Sequence, residues 1–151
     1  METTTNRPRE MARWAAFAGA AYVIASLVAL SLPALLGIEG QTLTIIGGAV
    51  ILFVIGALPA ALVARLRVNV AIAAMVTGVM VLIAQLVLVV LGLIGIPGLL
   101  DLERHPVSKA LIDACVFALF ALIPAAAAGI VTAATLRVWR DRHRLRSSPQ
   151  G

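Results

Sequence analysis

Asp101, Glu103, Arg104 and His105 form the densest group of side chains in this sequence able to move protons. Two carboxylates, a guanidinium and an imidazole could serve general acid and base chemistry. Such chemistry needs a scaffold that holds each group against a substrate. These four share one short connecting segment ending in Pro106, and no second cluster of catalytic residue types accompanies them. A solvated loop is the expected reading, with no catalytic residue and no enzyme activity.

Gln85 and Asp113 are the other polar candidates, because both stand within strongly apolar sequence. An amide in hydrocarbon is costly unless hydrogen-bonded, so Gln85 is expected to face neighbouring helices and clamp them. The functional alternative is an amide that binds a substrate or ion. Asp113 lies about one turn inside the fourth expected span, with Lys109 one turn before it. That spacing predicts an interfacial ion pair near a helix N-terminus, the alternative being a protonatable group on a transport path. Cys115 is the one cysteine, which excludes an intramolecular disulfide and any CxxC motif. It reads as a small buried packing residue. His105 and His143 both lie outside the apolar runs, so one chain cannot build an intramembrane bis-histidine haem site. No cofactor and no metal is expected.

The elements that must position these residues are four charge-free runs, 14–38, 40–64, 68–100 and 114–136. Each exceeds the ~20 residues that an α-helix needs to cross a bilayer core. A composition 62% hydrophobic and only 13% charged excludes disorder and an ordinary soluble fold. The expected architecture is all-α: a polytopic membrane protein of one domain over residues 1–151. Spans are expected at about 14–36, 42–64, 68–96 and 108–136, with short tails 1–13 and 137–151.

A net charge of +5 would suggest nucleic acid in a soluble chain. Here topology accounts for it, and no nucleic-acid partner is expected. Arginines 7, 9, 13, 65, 67, 137, 140, 142, 144 and 146 fall on one side of a four-span arrangement, leaving Arg104 and Lys109 on the other. Ten against two predicts that both termini are cytoplasmic. Trp14 and Trp139 fall at the same ends of the first and fourth spans, where aromatic belts form. With Arg140 and Arg144, these tryptophans are the candidate lipid-headgroup contacts, and anionic lipid is the expected partner at that face. Arginine outnumbers lysine eleven to one, and Ala, Val and Leu dominate, as in high-GC bacterial coding sequence. The expected location is therefore the inner (cytoplasmic) membrane of a bacterium.

Membrane helices associate where small residues let backbones approach. Span three carries Ala71, Gly78, Gln85 and Gly92 at a strict spacing of seven. Span four carries Ala118, Ala121, Ala125 and Ala128, with Gly129 beside them. These stripes predict the helix contacts. The concentration of small residues toward the arginine-rich end predicts the closest approach there. The expected function is a non-enzymatic accessory or scaffold subunit acting through helix packing on other membrane proteins. The alternative is a small homo-oligomeric transporter or channel, with Gln85 and Thr77 lining its path.

Overall fold

The computed structural model describes residues 7–36, 41–94 and 107–147. They form four helices: α1 (Arg7–Leu36), α2 (Gln41–Leu66), α3 (Val70–Leu93) and α4 (Val107–Ser147). All four are long and apolar enough to cross a membrane. They run up, down, up and down, as their side-chain neighbours show. Trp14 of α1 meets Arg65 of α2, and Ala29 lies beside Gly47, so those two helices are antiparallel. Gly78 meets Leu122 and Val70 meets Gly129, so α3 and α4 are antiparallel too. The start of α1, the α2–α3 turn and the end of α4 therefore share one end of the bundle, the arginine-rich end.

In cross-section the four helices form a rhombus. Helix α3 packs most extensively on α4, and α2 packs about equally on α4 and α1, whereas the backbones of α1 and α4 do not meet among the described residues. The α2–α3 pair, though joined by a short turn, lies across the shorter diagonal and shares the fewest contacts of the touching pairs.

Helix ends differ from expectation in four places. Helix α1 already starts at Arg7 and α4 continues to Ser147, so parts of both expected tails are helical. Arginines are good helix formers, and no Gly or Pro interrupts 130–147. Helix α3 starts at Val70, because Asn69 takes extended backbone angles and its side chain accepts a hydrogen bond from the Ala71 amide at 3.3 Å. It ends at Leu93, with Gly95 and Pro97 close behind in the sequence. Its 24 residues span about 36 Å, a near match to the ~30 Å hydrocarbon core. The strong tilt implied by a longer helix is not required.

The α2–α3 turn holds one strained residue. Arg67 has φ 51°, the left-handed region that glycine usually occupies just past a helix end. A side chain there costs about 1 kcal/mol. The Val68 amide donates back to the Leu62 carbonyl at 3.4 Å, which closes the end of α2.

Residue size, rather than polarity, separates inside from outside. Ala73, Ala84, Ala114, Ala121 and Ala125 are buried, while Phe17, Phe53, Phe120 and Ile123 each expose more than 60% of their surface. A soluble protein would reverse that arrangement. In lipid it is favourable, since large apolar side chains lose nothing by facing acyl chains, and small ones permit close packing. Leu62, Thr77 and Pro59 are the largest fully buried side chains described. Leu62 and Pro59 lie toward the arginine-rich end. Met11 and Trp14 pack there on the cluster of Leu58, Leu62, Val63, Leu66 and Ala73.

Candidate functional site

The sequence-level candidates divide into an interior group and a group at the arginine-rich end. In the interior, Gln85 is half-buried on α3, and its Nε2 donates a 2.6 Å hydrogen bond to the Tyr22 hydroxyl of α1. Helices α1 and α3 run parallel, and each residue lies fifteen positions beyond its helix start, Arg7 or Val70, so the two meet at one depth. The Tyr22 ring reaches across the bundle to Phe117 of α4, with ring centroids 6.5 Å apart. Ser26 is buried one turn further along α1.

Tyr22 is the functional group that sequence reasoning missed. The signal was available, since it is the sole tyrosine and sits in mid-span rather than at an interface.

Among the described residues the Ser26 Oγ, though buried, has no hydrogen-bond partner, whereas two interior threonines bond to their own helices. Thr77 Oγ1 donates to the Ala73 carbonyl at 2.8 Å, and Thr132 Oγ1 to that of Ala128 at 2.8 Å. The space lined by Tyr22, Ile55, Thr77 and Met80 is about 10 Å³, room for one water at most.

Gly78 and Gly92 are buried, as are Ala125 and Gly129. Ala71 is exposed, which corrects the expected span-three seam. A strict seven-residue repeat slips about 20° per heptad on a straight helix. Three repeats back from Gly92 thus turn Ala71 away, and Val70 takes the place against Gly129. Cys115 is also exposed rather than buried. The buried line on α4 runs through Ala114, Ala118, Ala121 and Ala125, and Cys115 lies about 100° round the helix from Ala114. Asp113 is exposed on the bundle surface, just before the charge-free run 114–136, and does not point into the interior. Asp101, Glu103, Arg104 and His105 lie outside the described residues.

At the arginine-rich end, Trp14 is half-buried, with the Arg65 guanidinium 5.5 Å from its ring centroid. Glu10, Arg13 and Arg65 border an open groove of about 610 Å³ beside it. Trp139 is exposed and packs against the His143 ring, centroids 4.3 Å apart. Arg140 is exposed, and its Nε donates to the Leu136 carbonyl at 3.5 Å. The side chain of Arg144 lies outside the described set. No group of three or more His, Cys, Asp or Glu positioned to hold a metal occurs among the described residues.

The interior pair yields a stability prediction. Tyr22→Phe keeps the ring packing and removes only the acceptor, leaving the Gln85 amide unsatisfied at a cost of about 1–2 kcal/mol. Gln85→Leu removes the amide altogether and should cost less than about 1 kcal/mol, within the range of interhelical hydrogen bonds in membranes. Adding Gln85→Leu to Tyr22→Phe should therefore recover stability in detergent unfolding. Strictly additive losses would mean that the two side chains do not depend on each other.

Comparison with protein-family models, curated proteins and solved structures returns no match.

Proposed function

We propose that this chain is a multi-pass protein of a bacterial cytoplasmic membrane, with both termini inside, that acts by packing against other membrane proteins rather than by catalysis. What carries this reading is the use of polar groups within the apolar spans. Gln85 is bonded to Tyr22, and Thr77 and Thr132 to their own helices, beside an interior space no larger than one water. A bundle of this kind offers a substrate little to bind and presents a broad apolar exterior to its neighbours. Support for the orientation comes from the arginines, which collect at the end shared by α1's start, the α2–α3 turn and α4's end.

Two thiol probes test the proposal together. His143→Cys, in a Cys115→Ala background, should label only from the cytoplasmic side of intact cells. A photocrosslinker on native Cys115, exposed on α4, should capture one defined different membrane protein in near-stoichiometric amount. Labelling of position 143 from outside would overturn the orientation. Capture of further copies of this chain alone, with Gln85-dependent flux in liposomes, would replace the accessory role by a homo-oligomeric transporter.

A further inference from the structure

A groove of about 490 Å³ opens between the α2–α3 turn and the last turns of α4. Arg67 approaches it from the turn, and Arg137 and Arg140 from α4. Ala64, Ala133 and Leu136 give it an apolar wall, and Trp139 stands at its edge. No acidic side chain among the described residues lines it. The neighbouring groove at the same end is lined by Glu10 as well as by arginines.

The geometry points to a binding site for one anionic phospholipid, its phosphate among Arg67, Arg137 and Arg140 and the start of an acyl chain along Ala64 and Ala133. This inference rests on the membrane reading above, but on neither the accessory role nor the orientation. Three features favour a lipid. The groove straddles Leu136–Arg137, where α4 passes from its charge-free run into arginines, which is headgroup depth. Three guanidiniums converge from two separate elements, and guanidinium binds phosphate oxygens in a fork. The wall beneath them is apolar, which a free anion does not require, and basic pockets between spanning helices are where anionic headgroups dock.

The backbone adds an independent sign. Arg67 occupies a left-handed conformation suited to glycine, and residues held in such sparsely populated conformations cluster at ligand clamps. Arg67→Gly should therefore act in opposite directions on two readouts. It should raise thermal stability of the lipid-free protein and lower its lipid affinity.

The experiment uses full-length protein, stripped of lipid in a mild detergent, with lipid binding counted by native mass spectrometry. Wild-type protein should hold one phosphatidylglycerol at concentrations where phosphatidylcholine does not bind. Arg67→Gly/Arg137→Gln should weaken binding at least tenfold. Arg9→Gln/Arg142→Gln removes the same charge outside the groove and should weaken it less than threefold. Ala64→Trp fills the apolar wall without changing charge and should also reduce binding. Equal loss in both charge variants would overturn the site in favour of diffuse attraction. Tight binding of phosphatidylcholine would do so as well. Displacement of the lipid by millimolar inorganic phosphate, or an Ala64→Trp protein that binds normally, would identify a free-anion site instead.

Discussion

Gly78→Leu is expected to destabilise the bundle by about 3 kcal/mol, the upper part of the range for overpacked cores. Val79→Leu, one residue along, should change stability by less than about 0.5 kcal/mol, since Val79 is 55% exposed. A Cβ at position 78 would lie 2.5 Å from Leu122 Cδ2 and 3.3 Å from its Cγ, with the Ala118 carbonyl oxygen at 3.8 Å behind. Leu122 is half-buried beside an apolar surface groove of about 360 Å³ between α3 and α4. Its terminal methyl can swing that way, so Gly78→Ala should cost under about 1 kcal/mol. A leucine brings three more carbons and meets backbone, and the two most extensively packed helices must then separate. Gly48 provides the opposite sign. A Cβ there meets nothing within 4 Å, so Gly48→Ala should stabilise α2 by about 0.5–1 kcal/mol. Unfolding in mixed detergent micelles ranks all four variants. Equal effects at 78 and 79 would mean that Gly78 faces lipid.

That contrast marks where sequence reasoning reached and where it stopped. The four helices were legible because charge is expelled from hydrocarbon, and the runs between charges have the length of a bilayer crossing. The faces were only partly legible. Each helix is apolar all round, so the alternation that orients a soluble helix is missing, and only residue size remains as a guide. Size points to Gly78, Gly92, Ala125 and Gly129, which are buried. It fails at Ala71 and Cys115, small residues that are nevertheless exposed. The same limit explains Gln85 and Tyr22. That the amide needs a partner follows from its surroundings, but which partner depends on how α1 and α3 slide against each other, and that is set by where each helix begins. The groove at Arg67 was illegible for a further reason. Its arginines come from positions about seventy residues apart, and although Arg140 reads as a headgroup contact from sequence, nothing there brings Arg67 beside it.

Phe53→Asp separates a membrane bundle from a water-soluble one by the sign and depth dependence of its effect. Phe53 lies at the middle of α2 and is 77% exposed. In water, replacing an exposed phenylalanine by aspartate is near neutral for stability and improves solubility. In a bilayer the same position faces acyl chains at the centre, where phenylalanine favours insertion and aspartate opposes it. The swing is about 3–4 kcal/mol. Ile46 is 55% exposed on the same helix but only five residues from its start. Ile46→Asp should cost clearly less, because a carboxylate near the end can reach the interface. Phe53→Leu changes shape without adding charge and should be tolerated. The amount of each variant that resists alkaline extraction from membranes gives the ranking, with Phe53→Asp lowest, Ile46→Asp intermediate and Phe53→Leu near wild type. Two aspartate variants that behave alike, or a Phe53→Asp protein recovered folded in the aqueous fraction, would show that the exposed apolar surface faces something other than lipid. The many large side chains on the outside of this bundle would then need a protein partner to cover them.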